Sequence, residues 1–210
     1  MNTYQAPLIR IIDDDASLRE STRLLLETLG WEVQTYESAV EFLASDRLLR
    51  PGCLILDVRM PEMTGLELQQ TLVRRGCSHL AIIFLSAHGD IQMAVQTMRH
   101  GAVDFLEKPV EPHQLLQRVT MAVAKTLQES ARADELAQLK ARVEKLSARE
   151  REVAELIANG LRNKQIAREL NIEESTVKMH RANAMAKLAV STPAELTRIF
   201  TTLEILAENA

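Results

Sequence analysis

Apolar residues gather in short runs along the first half of the chain and at helical spacing along the second. Leu8-Ile9-Arg10-Ile11-Ile12, Cys53-Leu54-Ile55-Leu56, Ala81-Ile82-Ile83-Phe84-Leu85 and Val103-Asp104-Phe105-Leu106 are each bounded by polar or turn-forming residues, and Val33 to Tyr36 is a fifth short candidate. Short apolar runs alternating with helical patterns predict a parallel sheet with helices on both faces.

The intervening segments carry helix signals. Ser17 is expected to cap the first helix, with Glu20 completing a capping box and Gly30 ending it. Ser38 opens a short helix carrying Val40, Phe42 and Leu43, and Pro51-Gly52 is a turn. Thr64-Gly65 starts a helix that runs to Arg75 and stops at Gly76. Asp90 opens another, with Ile91, Ala94, Val95 and Met98 on one face. Pro112 suits the first turn of a further helix, and neither Gly nor Pro follows until Gly160. Leu115, Leu116, Val119, Ala122, Val123 and Leu127 form its apolar stripe.

Farther along, Leu136, Leu139, Val143 and Leu146 recur at three- and four-residue steps, the spacing of a heptad seam. A paired coiled-coil linker is the expectation, and a helix packed on its own domain is the alternative. Ser147-Ala148-Arg149-Glu150 then reads as a capping box that starts a new helix ending at Gly160. Asn163 is expected to cap a second helix, Asn171-Ile172 to make a tight turn, and Glu173–Ser175 to begin a third. A fourth follows Pro193, with Leu196, Ile199, Phe200, Leu203 and Leu206. The chain thus divides into an α/β domain over 1–120, a helical linker over 121–146 and an all-α domain over 147–210.

Composition narrows the class. No apolar stretch approaches the roughly 20 residues that span a bilayer, and Met1-Asn2-Thr3-Tyr4-Gln5 lacks the features of a signal peptide. Cys53 and Cys77 lack metal-type spacing, which suggests reduced thiols in a cytoplasmic protein. The net charge is −4, yet residues 160–190 hold six Lys/Arg against three acids. A locally basic surface on an acidic chain is compatible with nucleic-acid binding.

The chemistry lies where the apolar runs end. Asp13 and Asp14 end the first, Asp57 the second and Ser86 the third, and Lys108 follows the fourth. Ligands of parallel α/β sheets bind at the carboxyl ends of the strands, so these groups should converge on one edge. Clustered carboxylates repel one another, and a divalent cation that prefers oxygen relieves this. Beside such a cation an aspartate can act as nucleophile toward a phosphoryl group. Asp15 reads as a solvated loop carboxylate.

This set, with Met60-Pro61, Gly65, Ser86-Ala87 and Lys108-Pro109, resembles the receiver domain of bacterial response regulators over residues 7–120. The resemblance implies a five-stranded, doubly wound, flavodoxin-like sheet with Asp57 as phosphoacceptor. Mg2+ would be held by Asp13, Asp14, Asp57 and the Arg59 backbone carbonyl, with Asp14 binding directly and Asp13 through water. Lys108 would neutralise the transferring phosphoryl group, and Ser86 and Phe105 would carry the conformational switch.

Two short helices joined by a tight turn, the second basic, fit a helix-turn-helix. On that second helix Val177, Ala184 and Leu188 share one face, while Met179, Ala182, Asn183 and Ala186 lie opposite, with Lys178 beside them. His180 falls toward the packed side, as a hydrogen-bonded core histidine. Lys178 and Asn183 are placed for base edges, and Lys164, Arg181 and Lys187 for phosphates. Leu146–Glu150, Asn163–Ala167 and Ser175–Arg181 resemble the LuxR-type output domain, and the whole chain resembles the NarL/FixJ family, FixJ-like subgroup. That resemblance places Lys178, Met179 and Ala182 at base-contacting positions and adds Thr176 to the DNA-binding set. It implies a sensor histidine kinase, double-stranded DNA and RNA polymerase as partners, with homodimerisation on phosphorylation and no membrane. Two rivals stand beside this reading: an aspartyl-phosphate phosphatase, and a scaffold without phosphotransfer. The first would leave the DNA module idle, and the second would not need Asp57 and Lys108.

Overall fold

The computed structural model describes residues 6–48, 50–77, 80–87 and 91–208, with side chains to residue 203. The chain forms two compact units, Met1–Ala131 and Arg132–Ala210. In the first, five strands alternate with helices: β1 (Leu8–Ile12), α1 (Ala16–Thr28), β2 (Glu32–Tyr36), α2 (Ala39–Ser45), β3 (Gly52–Asp57), α3 (Gly65–Arg74), β4 (Leu80–Ser86), α4 (Ile91–Arg99) and β5 (Asp104–Glu107). The 33-residue helix α5 (Pro112–Glu144) follows. All pairings are parallel, in the order β2-β1-β3-β4-β5. The order reverses beside β1, and the crevice at that edge is where such sheets bind ligands.

Strand side chains alternate between two apolar layers. Leu54, Leu56, Ile82 and Phe84 pack with Phe42, Leu68 and Leu72 of α2 and α3. Cys53, Ile55, Ala81 and Ile83 pack on the other face with Leu26 of α1 and Leu115, Val119, Ala122 and Val123 of α5. Burial on both faces explains why these strands read as continuous apolar runs. Burial also pushes the Cys53 thiol well above its ordinary range. Among the described residues, no helix is long and apolar enough to cross a membrane.

The second unit contains α6 (Ala148–Ala158), α7 (Asn163–Glu169), α8 (Glu174–Leu188) and α9 (Pro193–Glu208). Its core joins Val153, Ala154, Ile157, Ile166, Val177, Ala184, Leu188, Leu196 and Ile199. The expected capping box at Ser147/Glu150 is present, and Thr64 and Glu67 form another at the start of α3.

Several expectations need correction. Asp15, not Ser17, caps α1: its Oδ1 accepts from Ser17 N at 2.9 Å and Leu18 N at 3.1 Å. The carboxylate assigned to solvent therefore satisfies two N–H groups that the first turn leaves free. Asn163 is the first residue of α7 rather than its cap. His180 is only half-buried. Val143 and Leu146 are buried in the core of the second unit, with Leu139 packed against them. The C-terminal half of the apparent heptad seam thus packs within its own unit. The helix start at Asp90, the stretch His88–Asp90 and the Leu206 side chain lie outside the described residues.

Candidate functional sites

Parallel register brings the acidic groups level. Ile12 pairs with Leu56 and Asp57 with Leu85, so Asp13, Asp57 and Ser86 emerge together at the carboxyl edge. Ser86 pairs with Glu107, which sets Lys108 one residue beyond β5. Lys108 N donates to Ser86 O at 2.8 Å, and Lys108-Pro109 is a cis peptide bond. The Lys108 ammonium then reaches inward, 2.7 Å from Asp13 Oδ2 and 2.6 Å from Asp57 Oδ1. Asp57 Oδ2 accepts from Arg59 N at 3.0 Å, and Asp13 Oδ1 from Asp15 N at 2.9 Å.

One lysine thus bridges two buried carboxylates. Burial pushes the Asp57 carboxyl above its ordinary value, and the Lys108 ammonium pulls the other way without cancelling this. Burial alone would depress Lys108, but its bonds to Asp13 and Asp57 outweigh that and leave it raised. A charged amine is therefore fixed beside the candidate nucleophile, where a phosphoryl group would bring negative charge.

The expected cluster of three carboxylates is not closed. Asp14 is exposed on the adjoining loop, and Asp13 is the buried member of the pair. Among the described residues, no three acidic, histidine or cysteine side chains stand together as a metal site. The donor types nevertheless fit a hard cation, because Asp13, Asp14, Asp57 and the Arg59 carbonyl all offer oxygen.

Gly65, the first residue of α3, lies directly against this edge. A Cβ there would run into the Asp57 carbonyl oxygen and stand 3.0 Å from the Phe84 ring. Phe105 is half-buried, with its ring centroid 6.5 Å from that of Phe84. Nearby on α4, Ile91, Val95 and Met98 are 79%, 47% and 45% exposed. Their spacing of four and three residues puts them in one outward stripe.

In the second unit, α7 and α8 form the two-helix motif, joined through Asn171 at φ 50°. The packed face of α8 is the expected one, with Val177, Ala184 and Leu188 fully buried. Lys178, Met179, Ala182, Asn183 and Ala186 are exposed on the other side, and Thr176 is half-buried. Lys164 is exposed on α7. Two of the expected phosphate ligands are engaged within the domain. Arg181 donates to Asn163 Oδ1 at 3.1 Å, and Lys187 lies 2.5 Å from Glu150 Oε2. The roles of Asn163 and Glu150 as partners of α8 were not legible, because each lies well back in sequence from the cation it binds.

The response regulator receiver domain family matches residues 9–120, and the luxR family of bacterial regulatory proteins matches residues 144–200. The chain is 43% identical over 195 residues to the response regulator protein TmoT of Ectopseudomonas mendocina, covering 93% of this chain and 88% of that one. It is 40% identical over 191 residues to the transcriptional regulatory protein FixJ of Azorhizobium caulinodans, covering 91% and 90%. Among solved structures, the response regulator StyR superposes with a TM-score of 0.88 at 41% identity, covering 94% of this chain and all of that one. Full-length FixJ from B. japonicum gives 0.57 at 40% identity, covering 92% and 95%. With a receiver fold ending in an Asp-Asp-Lys edge and a helix-turn-helix beyond it, the chain belongs to the NarL/FixJ-type response regulators, phosphorylation-dependent transcriptional regulators that join a receiver to a LuxR-type DNA-binding domain.

Proposed function

We propose that Asp57 is the phosphoacceptor and that a sensor histidine kinase is the donor. The observation that carries this is the Lys108 ammonium, held 2.6 Å from Asp57 and 2.7 Å from Asp13 at the carboxyl edge of the sheet. An Asp57 carboxylate oxygen attacks phosphorus as the N–P bond of the kinase phosphohistidine breaks. The imidazole leaves with the electron pair, and the acyl phosphate forms on Asp57. Asp13, Asp14, Asp57 and the Arg59 carbonyl would hold Mg2+, which neutralises charge on the phosphoryl oxygens when bound. Lys108 carries the same task from the protein side.

Phosphorylation then moves the neighbouring elements. The Ser86 hydroxyl donates to a phosphoryl oxygen and draws the following loop inward, and the Phe105 ring enters the space vacated. Full burial of such a ring is worth about 1.5–3 kcal/mol. The ring is already half-buried, so only part of that remains to bias the switch. The exposed stripe Ile91, Val95 and Met98 on α4 supplies apolar area for a second receiver. Dimerisation places two helix-turn-helix units on inverted half-sites and makes the second binding step effectively intramolecular. Met179 and Ala182 read bases by apolar contact, thymine methyls included, while Lys178 and Asn183 offer hydrogen bonds. RNA polymerase is the partner on which promoter-bound protein would act.

The test is DNA binding against protein concentration, with and without a small phosphodonor. A cooperative, two-protomer isotherm that requires the phosphodonor supports this reading. A non-cooperative, one-protomer isotherm for the phosphorylated chain refutes the dimer mechanism.

A further inference from the structure

Glu150 sits in the first turn of α6, a place where acids are ordinarily exposed, yet it is only 5% exposed. Its Oε2 accepts from Ser147 N at 2.8 Å and from Lys187 Nζ at 2.5 Å. Ser147 Oγ accepts in return from Glu150 N at 3.3 Å. The Lys187 bond is the main reason the Glu150 carboxyl is held below its ordinary range. Lys187 belongs to the last turn of α8, where a cation also complements the helix dipole. A lock of three side chains therefore ties the C-terminal end of α8 to the N-terminal end of α6.

The lock adds something that the core does not. Val177, Ala184 and Leu188 fill one face of α8 against α6 and α7, but apolar packing is non-directional. Fixing register between elements is the best-attested use of a buried charge; here the buried member is Glu150, and its partner Lys187 is 41% exposed. The outward face of α8 carries Lys178, Met179, Ala182 and Asn183, so its rotation and height decide what those residues meet. We infer that Lys187 is a positioning residue that fixes the register of the DNA-reading helix through Glu150, and that it does not neutralise a DNA phosphate.

This inference rests on the DNA-binding reading, and salt dependence separates the two. Each phosphate neutralised by a lysine adds about 0.9 to the slope of log affinity against log salt. Full-length phosphorylated protein is titrated on a selected duplex and on random duplex across a salt series. For Lys187→Met the expected result is a loss of affinity for the selected duplex of about ten-fold, a fall in the selected-to-random ratio and an unchanged slope. Lys187→Arg, which keeps charge and reach, should restore the ratio. Glu150→Gln should lose the same discrimination, and the double variant should be no worse than the weaker single. If Lys187→Met fails to fold, because it leaves the buried Glu150 carboxylate without its cation, the double variant supplies the slope. A slope lower by about 0.9 per bound protomer in either variant overturns the assignment, as does additive loss in the double variant or an unchanged ratio in Glu150→Gln. Wild-type protein that shows no salt-dependent preference for any selected duplex would sink the DNA-binding reading itself.

Discussion

Asp46→Ala should destabilise the receiver far more than a loop substitution ordinarily does. Arg10 stands in the middle of β1 yet is 1% exposed. Its guanidinium lies 2.5 Å from one Asp46 carboxylate oxygen and 3.3 Å from the other, and 3.4 Å from Leu8 O. Tyr36 Oη adds a bond to Asp46 at 2.8 Å, and Leu48 N one at 2.6 Å. Among the described residues, removing Asp46 leaves the guanidinium buried with only the long contact to Leu8 O. Breaking a buried pair from one side costs about 3–5 kcal/mol, whereas replacing both partners by apolar residues is often neutral or better. Trp31 is the single tryptophan and packs on the receiver core, so its fluorescence follows this unit within the full chain. At a urea slope of about 1–3 kcal/mol per molar, Asp46→Ala should lower the Trp31 midpoint by about 1 M or more. Arg10→Met/Asp46→Leu should recover most of that loss.

The same network predicts acid sensitivity. Burial alone would raise the Asp46 carboxyl, but bonds from Arg10, the Leu48 N–H and Tyr36 outweigh it and hold Asp46 below its ordinary value. A group depressed on folding contributes its full stability above the unfolded value, about 3.9. That contribution is lost as pH falls through the lower folded value. Asp46→Ala should therefore flatten the acid limb of receiver stability. A cost below about 1 kcal/mol, with an unchanged acid limb, would refute the account of Arg10.

Gly65→Ala should cost about 1–3 kcal/mol as overpacking and slow phosphorylation, read from the Trp31 midpoint and the rate with a small phosphodonor; wild-type values for both would mean that α3 need not lie so close to Asp57. Ser86→Ala should accept phosphate but dimerise poorly, and wild-type dimerisation by sedimentation would remove Ser86 from the switch. Val95→Glu places a charge in the exposed stripe of α4 and should abolish phosphorylation-dependent dimerisation while leaving phosphate incorporation intact; a phosphorylated Val95→Glu dimer would move the interface elsewhere.

The site edge was legible because each of its residues ends or closely follows an apolar run, and parallel pairing must bring run ends together. The outward and inward faces of α8 were legible for a similar reason, since helical period alone assigns Val177, Ala184 and Leu188 to one side. What escaped depended on partners distant in sequence. Arg10 looked like an interruption in an apolar run, and its partner is 36 residues away in a loop. Val143 and Leu146 carry heptad spacing, but spacing does not say whether the apolar face meets a second chain or the residues that follow in the same one. The bond of Lys187 to Glu150 is hidden for the same reason, because Glu150 lies 37 residues before it. The misplaced cap of α1 had a local cause: Asp13, Asp14 and Asp15 are chemically equivalent in sequence, and only the strand end decides which turns inward and which caps the helix.

Phosphate incorporation into Asp57→Asn tests the central claim most directly. The full chain is incubated with a small phosphodonor and Mg2+, and acid-labile phosphate is measured beside wild type, with peptide mapping of any label. The account predicts stoichiometric incorporation on Asp57 in wild type and none in Asp57→Asn, whose amide cannot act as the nucleophile. Wild-type incorporation in Asp57→Asn, with the label mapped away from the Asp13–Lys108 edge, would contradict it.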